Sequence, residues 1–540
     1  MWLTRSWMVA VFILASLSTG FCSSMSAGTE FITAFMENVA HYRIRETFHK
    51  LLISALTRNT KVNIAVQDRS WNQTLIMNAG NTRSVDLPSE LQLIKFNTSY
   101  KTVRVTSTFP VTVLSISLTS ASTDTSRVLP VQNLGKEYRL ASPAGPSDGS
   151  YRFVVINTQL DNTVTISQSS QELFTVTLGP YENAQFQSAK HPATTLVTAQ
   201  TPVAVLFGHP CIQQVECKCG LAFEQLSPVS SWGTVFIVPY LSVSNRRNQT
   251  LLLVTSDGAA PESILPSEFV VLPRDEIPVL MDGSLYIRAS VPVSVSLLQL
   301  GAMTLIPEES FSTCYLVHAI NYSHTYFLIV VKTAEKDGVR LGHSLLPSVD
   351  WAEVAGSDYS VGLCSLAKQN MHRVIWHRTS KMAVYVFGRY DHMYFGSPAL
   401  SLKVEPDGSK CRAYAGVVEL VLEKKSWTDA QERCWNLNSQ LASFNSLSFL
   451  EHAVKELGDA HRSTAWMGLR RSLLSGEWRW LNREPMGYSK WGSGEPNSSL
   501  TTQCAMTSLE PVKSLTWSAM SCCNQLPFIC FMPGADMPFP

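Results

Sequence analysis

The sequence carries little charge and no surplus of either sign. Only 16% of its 540 residues are charged, and 43 basic side chains face 42 acidic ones, which leaves a formal net charge of +1. No run of five or more basic residues occurs. Because nucleic acids and anionic membranes attract clustered cations, neither is expected as a partner. With 45% hydrophobic residues, the chain is apolar enough to form packed cores.

Long apolar runs are also scarce. The segment Trp7 to Leu17, with a basic residue before it and small residues after it, has the layout of a secretory signal peptide, predicted at residues 1–22. Cleavage after Gly20 and after Cys22 both fit this layout. No later segment has 18 uninterrupted apolar residues, and the tail 532–540 lacks the hydrophobic stretch of a lipid-anchor signal. We therefore expect a secreted, extracellular protein without a membrane anchor.

Sequons for N-linked glycosylation agree with this compartment, since glycans of this kind are added to secreted chains. The sequons begin at Asn72, Asn97, Asn248, Asn321 and Asn497. Such triplets also arise by chance, so they support the signal peptide without replacing it. The sequence thus predicts a glycoprotein.

Familiar catalytic motifs are missing as well. The sequence has no Gly-x-Ser-x-Gly, no His-Glu-x-x-His and no phosphate-binding glycine loop. His372, His377 and His392 lie close together in the chain, but an extended strand would place the first two on opposite faces because their separation is odd. We therefore predict that the protein is not an enzyme.

The sequence does contain a repeat of about 90 residues. Four stretches of alternating valines share an anchor residue near their start, and the anchors are 92, 90 and 90 positions apart. These anchors are Pro110, Pro202, Pro292 and Met382. A similar opening motif also recurs, starting at Gly28, Gly135, Gly233 and Ser312. This regularity predicts tandem domains, which in line would hold the last domain away from the amino end.

Each repeat is filled with short runs that are rich in β-branched and aromatic residues and end at turn residues. This pattern predicts a mainly β fold of tandem antiparallel β-sandwiches, followed by a C-terminal α+β domain. The predicted sandwiches span residues 28–125, 130–225, 228–305 and 308–403. A short polar hinge, 404–410, is predicted before the last domain.

Residues 28–399 resemble the amino-terminal region of the IgGFc-binding protein family. The resemblance is carried by GTEFITAFMEN from Gly28, by CKCGLAFEQLSPVSSWGTVFIVP from Cys217 and by VYVFGRYDHMYFGSPA from Val384. It implies a secreted, often mucosal protein. It also makes immunoglobulin Fc a possible partner, although no single residue here encodes that affinity.

Residues 411–531 resemble a C-type lectin-like domain. The resemblance rests on SWTDAQERC from Ser426, WMGL from Trp466, EWRW from Glu477 and CCNQLPFIC from Cys522, in the order that the family shows. Apolar residues at spacings of three and four predict an amphipathic helix in the first element. Its inward face is formed by Trp427, Ala430, Cys434 and Leu437.

Cysteine pairing follows partly from this resemblance. It implies the bridges Cys434–Cys530 and Cys504–Cys522, with Cys523 as an alternative partner of Cys504. Cys314 and Cys364 fall in one predicted sandwich and are predicted partners, and Cys411 is predicted to pair with Cys523.

Cys211, Cys217 and Cys219 lie in one loop, so their pairing stays open. A zinc site formed by these thiolates and His209 is the alternative, but disulfides are the default in an oxidising compartment.

The loop Trp491 to Cys504 has the chemistry of a calcium-dependent sugar site without a full ligand set. Glu495 and Asn497 lie two residues apart and offer oxygen ligands of the kind that Ca²⁺ prefers, but the ion needs 6 to 8 oxygens. The family's other ligand positions hold Thr502, Ser518 and Ala519, which lack carboxylate and amide oxygens.

A glycan on Asn497 would also block coordination. We therefore expect no cofactor and favour an ordinary loop, with calcium binding as the weaker alternative.

These features favour recognition of another molecule. We expect a glycoprotein or a microbial surface to be bound mainly through calcium-independent protein contacts, as in innate defence. The alternatives are a calcium-dependent carbohydrate-binding lectin and a structural component of mucus or an extracellular coat. The candidates for ligand contact are Glu495, Asn497 and Trp491. Trp478 and Trp480 are further candidates for an exposed aromatic face, although Trp480 is more typical of a core in the family pattern.

Overall fold

The computed structural model describes residues 26–532, apart from gaps of one to three residues and several longer gaps. The longer gaps are 38–46, 143–150, 188–192, 241–249, 257–263, 266–276, 298–302, 366–371, 404–410 and 412–416, then 445–463, 482–485, 510–515 and, at the end, 533–540. The predicted signal peptide and hinge therefore lie outside the described residues. Among the described residues, no helix is long and apolar enough to cross a membrane.

The first repeat forms a seven-stranded antiparallel sheet around the long strand β7. The short strand β6, which precedes β7 in the chain, pairs instead with a strand of the second repeat. The predicted bounds of the sandwiches remain predictions. The strands are β1 (Ala27–Thr33), β2 (Phe48–Ala55), β3 (Thr60–Val66), β4 (Asn72–Met77), β5 (Thr82–Leu87), β6 (Thr98–Ser99), β7 (Val103–Leu118) and β8 (Thr123–Val128).

The second and third repeats also form antiparallel sheets around a long strand, β14 and β20 respectively. The second repeat has β9 (Gly135–Ser142), β10 (Arg152–Asn157), β11 (Asn162–Gln168), β12 (Gln171–Leu178), β13 (Asn183–Gln187), β14 (Ala193–Val215) and β15 (Lys218–Gln225). The third has β16 (Gly233–Val238), β17 (Thr250–Ser256), β18 (Ile264–Leu265), β19 (Ile277–Val279), β20 (Leu285–Leu297) and β21 (Met303–Thr304).

The fourth repeat differs because its strands form two separate five-stranded sheets. One sheet contains β22 (Cys314–His318), β24 (Arg340–Leu341), β25 (Ser344–Leu345), β28 (His372–Trp376) and β31 (Leu400–Lys403). The other contains β23 (His324–Lys332), β26 (Trp351–Glu353), β27 (Tyr359–Ser365), β29 (Met382–Tyr390) and β30 (Met393–Pro398). A mainly β fold is thus confirmed.

The anchor prolines mark the point where each long strand changes partners. In β7 the residues before Pro110 pair with β3, the residues after it pair with β2 and β8, and β1 pairs with residues on both sides. Strand β14 changes partners in the same way around Pro202, and β20 around Pro292. Proline suits this position because it donates no backbone hydrogen bond to the ladder. One strand thereby serves both halves of each repeat.

In the fourth repeat the corresponding strand is broken into β28 and β29. The break is stabilised by His377, whose Nδ1 accepts hydrogen bonds from the backbone N–H of Thr379 (3.1 Å) and of Ser380 (2.8 Å). A histidine ring thus satisfies the turn amides, and Met382 stands where the other repeats have proline. Of the other two histidines noted in the sequence, His372 lies on β28 and His392 falls outside the described residues.

The glycine at the start of each of the first three repeats is required by a close steric contact. A Cβ atom on Gly28, Gly135 or Gly233 would lie 2.4, 2.3 or 2.3 Å from the Cβ atom of a proline that begins the link to the following repeat. These prolines are Pro130, Pro228 and Pro307, and each precedes a short 3₁₀ turn. Only glycine allows so close an approach.

The four repeats close into a ring and are not arranged in line. Asp124 in β8 accepts a hydrogen bond from the N–H of Phe223 in the second repeat at 2.6 Å. Thr304 in the third repeat donates its N–H to Glu224 in the second at 2.6 Å. The predicted in-line arrangement is wrong because buried polar groups on β8, β15, β21 and β30 need partners and find them on the other repeats.

Contacts between the first and last repeats complete this ring. The hydroxyl groups of Thr125 and Ser397 lie 3.2 Å apart, and the Ser401 N–H donates to the Ser26 hydroxyl at 3.1 Å. Apolar residues of both repeats, including Leu114 and Leu316, share one buried cluster. We call residues 27–403 the four-repeat ring.

In the part of the last domain that the structure describes, one helix is combined with a seven-stranded sheet. Ser426 caps the helix by accepting the N–H of Asp429 at 3.2 Å, and the predicted inward residues Trp427, Ala430 and Cys434 are buried. Its elements are β32 (Val417–Lys425), α1 (Trp427–Asn436), β33 (Gln440–Leu441), β34 (Thr464–Arg471), β35 (Trp478–Trp480), β36 (Cys504–Ser508), β37 (Trp517–Met520) and β38 (Leu526–Met532).

Two predicted disulfides of this domain are confirmed, namely Cys434–Cys530 and Cys504–Cys522. The predicted bridges Cys314–Cys364 and Cys411–Cys523 are wrong, because Cys314 pairs with Cys411 and leaves Cys364 and Cys523 free.

The register explains this correction. Cys314 lies on β22 opposite Lys403, the last residue of β31, so the chain that follows reaches it. Cys364 lies on β27, in the other sheet. The bridge therefore fixes the start of the last domain to the ring.

Candidate functional site

The loop of residues 491–502 is held against β37 by backbone hydrogen bonds. The Gly492 N–H donates to the Trp517 carbonyl at 2.9 Å, and the Trp517 N–H donates to the Lys490 carbonyl at 2.8 Å. The half-buried ring of Trp491 packs at 4.8 Å from the Trp478 ring and at 5.8 Å, edge-on, from the Trp517 ring. The loop thus begins from a rigid aromatic base.

The carboxylate of Glu495 forms hydrogen bonds to the backbone of the loop and of β37. Its Oε2 accepts hydrogen bonds from the N–H of Asn497 (2.8 Å) and from the N–H of Ala519 (3.1 Å). The second bond ties the loop to β37 at a predicted ligand position. The peptide bond before Pro496 is cis. A carboxylate oxygen that already accepts two hydrogen bonds has less capacity left for a cation.

Asn497 and Thr502 are engaged in the same way. Asn497 Oδ1 accepts the N–H of Ser499 at 3.1 Å, and the Thr502 hydroxyl donates to the carbonyl oxygens of Asn497 and of Ser499, both at 3.1 Å. The two predicted ligands Glu495 and Asn497 therefore lie in one loop, where backbone amides occupy the Oε2 atom of Glu495 and the Oδ1 atom of Asn497.

The donor set does not fit a calcium ion. Ala519 is buried and has no side-chain oxygen, while Ser518 is half-buried and offers one hydroxyl. One carboxylate, one amide and two hydroxyl groups fall short of the 6 to 8 oxygens that calcium takes. No group of three or more His, Cys, Asp or Glu side chains suited to a metal occurs within the described residues.

The candidate tryptophans separate into core and surface. Trp480 is buried, as the family pattern favours, whereas Trp478 and Trp491 are half-buried beside the loop. The sequence prediction missed Trp435, whose side chain is 76% exposed on α1. The helical period could have revealed it, because position 435 lies off the face formed by Trp427, Ala430 and Cys434.

Three of the predicted glycosylation sites are exposed, namely Asn72, Asn97 and Asn497. Asn248 and Asn321 lie outside the described residues. A glycan on Asn497 would stand directly on the loop.

The cysteine-rich loop of the second repeat does not offer three thiolates to a metal. Cys211 is disulfide-bonded, and its N–H donates to His209 Nδ1 at 3.0 Å. The buried His209 ring also packs edge-on against Tyr151 at 4.8 Å. Cys217 and the side chain of Cys219 lie outside the described residues, so the full pairing stays a prediction.

Comparison with known proteins agrees with the division into two regions. Residues 124–388 match the family model described as IgGFc binding protein, and residues 423–532 match the family model of the C-type lectin domain. Both regions were expected from the sequence, and both are present. Neither family description names an enzyme.

Individual relatives match one region or the other. The human IgGFc-binding protein is 26% identical over 448 residues, which is 74% of this chain but 8% of that protein. Human C-type lectin domain family 17, member A is 33% identical over 106 residues, which is 20% of this chain and 26% of that protein. The chain thus spans less than a third of the length of either relative.

A solved structure gives a further likeness. The cow C-type carbohydrate-recognition domain of CD23 is 25% identical to this chain, and the match covers 23% of this chain and 99% of that domain, with a TM-score of 0.20.

Proposed function

We propose, from an IgGFc-binding region at residues 124–388 and a C-type lectin domain at residues 423–532, that the protein is a secreted, non-catalytic recognition glycoprotein. It binds an extracellular glycoprotein or a microbial surface mainly through protein contacts that need no calcium. Immunoglobulin Fc is the first partner to test, because a relative of the ring carries that name.

One observation carries the calcium-independent part of this proposal. The carboxylate of Glu495 is committed to two backbone amides, those of Asn497 and Ala519, so the loop is closed by a protein group. In a calcium-dependent site, the metal would receive one formal charge from this carboxylate, and its Oε2 atom could coordinate the metal only by weakening these two hydrogen bonds. Calcium affinity rises with the number of charged ligands, so this exchange is unfavourable.

The partner surface is expected beside the loop. Trp478 and Trp491 present half-buried rings there, and aromatic rings of this kind dominate binding hot spots because they bury a large area at a small entropy loss. The exposed Trp435 lies on the helix of the same domain and provides a second aromatic contact.

The experiment is a capture assay with the full-length glycoprotein as bait. Serum, mucus and purified immunoglobulin Fc are each tested with and without EDTA. The proposal expects capture that EDTA leaves unchanged and that Trp491→Ala weakens. Capture that EDTA abolishes would support the lectin alternative, and no capture in any arm would support a structural coat component.

The calcium-dependent lectin remains the second candidate because Glu495 and Asn497 lie in one loop next to Trp491. A matched gain-of-function variant tests it. Thr502→Glu combined with Ser518→Asn restores one charge and one amide oxygen at half-buried positions. This variant is expected to gain calcium binding that the natural chain lacks. Equal calcium binding by both proteins would instead establish the lectin function.

A further inference from the structure

Strand β12 lies at one end of the sheet of the second repeat. The order of that sheet runs from β12 through β11, β14, β10 and β13 to β6, and among the described residues β12 pairs with β11 alone. Leu173 and Phe174 of β12 are 46% and 55% exposed, and Thr177 is exposed as well. An exposed edge strand presents backbone N–H and C=O groups with which a further strand can pair.

The exposed part of β12 is uncharged. The six residues from Leu173 to Leu178 are Leu-Phe-Thr-Val-Thr-Leu, and they include no proline, no glycine and no glycosylation sequon. Uncharged segments of this length with a high β-propensity are the ones that pair most readily with other strands. Natural proteins usually protect such an edge with charged side chains, with proline or with a covering segment. Within the described residues, none of these features protects β12.

The comparable end strands of the first two repeats are protected. The orders β4-β3-β7-β2-β5 and β12-β11-β14-β10-β13 correspond, so β4 takes the place of β12 in the first repeat, and it begins with the exposed Asn72 of a sequon. At the other end of that sheet, β5 carries the exposed charges of Arg83 and Asp86. In the second repeat β13 is covered by β6, and the Gln185 N–H donates to the Asn97 carbonyl at 3.3 Å. This contrast singles out β12.

Phe174 connects this edge to the core of the second repeat. Its ring lies 6.1 Å from the ring of Phe186, which in turn stacks at 5.1 Å on the buried ring of Phe153. Phe174 also lies opposite Ile166 of β11, which belongs to the buried cluster of this repeat. Residues directly opposite each other lie on one face of a sheet. A strand added at β12 would therefore extend both the backbone ladder and the apolar face.

We propose that β12 pairs antiparallel with the β12 of a second copy of this chain, so that the sheets of two second repeats become one continuous sheet. A two-fold axis near the middle of the strand places Phe174 of one copy opposite Val176 of the other. Glu172, the one charged residue of β12, then falls at a register position opposite Leu178 and not opposite its own copy. Like charges directly opposite each other destabilise a strand pair, and this register avoids them.

The lack of charge favours a second copy over a strand from another protein. A strand that pairs with its own copy always meets its own charges, so an uncharged segment suits self-pairing, whereas it offers no charge by which to select a different partner. Self-pairing also brings two lectin domains into one assembly. Two linked domains attach more strongly to a surface that carries many copies of a ligand. The inference concerns the ring and does not depend on which ligand the lectin domain binds.

The test is sedimentation equilibrium of the full-length glycoprotein over a range of micromolar concentrations. The expected result is a reversible equilibrium between monomer and dimer without larger species, because two-fold pairing of one edge is closed. Thr175→Lys places like charges opposite each other near the axis and is expected to weaken dimerisation at least about tenfold. Gln73→Lys adds the same charge at an exposed position of β4, keeps the sequon of Asn72 and is expected to leave the dimer unchanged.

A monomer at every concentration would overturn the proposal. A dimer that Thr175→Lys retains would also overturn it, as would a dimer that both lysine variants weaken equally. Hydrogen exchange of the natural protein provides a test that needs no variant. The amides of residues 171–178 are expected to exchange at least about tenfold more slowly at the concentration where the dimer dominates, and equal exchange at low and high concentration would contradict pairing through β12.

Discussion

The four-repeat ring and the lectin domain solve the same stability problem by different means. The ring has a large buried interior, and its repeats are joined by buried hydroxyl, carboxylate and amide groups such as Asp124 and Ser397. The lectin domain is about a third of that length and relies on two disulfides around a core that contains Trp466 and Trp517. Small domains bury a smaller fraction of their surface, so covalent links contribute more to their stability.

This difference has a consequence for function. The ring depends on groups whose protonation changes with pH, while the described part of the lectin domain depends on covalent bonds that do not titrate. The Cys314–Cys411 bridge fixes the start of the lectin domain to the ring, and the stabilising groups of the two regions are otherwise different in kind. The two regions can therefore be tested separately within one chain.

The largest expected effect is on the lectin domain. Replacing Cys434 and Cys530 together by serine opens a bridge between residues 96 positions apart, and the chain-entropy model predicts a loss of about 4 to 5 kcal/mol. The double replacement of Cys504 and Cys522, which are 18 positions apart, should remove only about 3 kcal/mol. Urea unfolding of the full chain measures both. A matching loss in the transition of the ring would contradict the separation of the regions.

Acid should act on the ring instead. Burial lowers the pKa of His49 and of His318 to about 3, from 6.5 in the unfolded chain. The folded state therefore binds fewer protons, and its stability falls as pH drops below 6.5 and continues to fall until about pH 3. At pH 5 each histidine should remove about 2 kcal/mol.

Unfolding curves at pH 7.5 and pH 5 measure this loss in the transition of the ring. His318→Phe should remove the share of the acid sensitivity that His318 contributes, about 2 kcal/mol at pH 5, because the phenyl ring carries no proton. An unchanged pH dependence in this variant would show that His318 is not the group responsible.

A polar contact between repeats should matter less than the two histidines together but more than an exposed surface charge. Asp124→Ala leaves the amides of Phe223 and Thr125 buried without acceptors, which should remove about 3 kcal/mol. Asp124→Asn keeps an acceptor oxygen and should remove less. Asp86→Ala, at an exposed ion pair with Lys50, serves as the control and should leave urea unfolding unchanged. Equal effects of the three variants would contradict a polar joint between the repeats.

The smallest structural effect is expected at the links between repeats. Gly135→Ala would place its Cβ atom 2.3 Å from that of Pro228, so the chain must shift, and overpacking of this kind removes about 2 kcal/mol. Gly283→Ala, which would meet nothing within 4 Å, is the matched control and should have little effect. Thermal unfolding of both variants measures the difference, and equal Tm values would show that the glycine–proline contact does not constrain the ring.

The sequence was sufficient to predict what depends on local pattern. The inward face of α1 at Trp427 and Cys434 is confirmed. The two bridges of the lectin domain, which the family resemblance implied, are confirmed as well. Alternation and helical spacing are properties of neighbouring residues, so one sequence displays them.

Long-range register could not be predicted in this way. Cys314 and Cys364 fall in one repeat but on different sheets, and only the pairing of β22 with β31 shows why Cys411 is the partner. Closure of the ring depends on contacts such as Thr125 with Ser397, which are 272 positions apart. No periodic pattern records such a contact, because it arises from the geometry of four repeats together.

The measurement that tests the account most directly is a calorimetric titration of the full-length protein with Ca²⁺, beside the variant that combines Thr502→Glu with Ser518→Asn. Because the carboxylate of Glu495 already serves the amides of Asn497 and Ala519, the natural protein is expected to give no saturable heat up to millimolar calcium, while the variant does. A micromolar dissociation constant for the natural protein would contradict recognition without calcium.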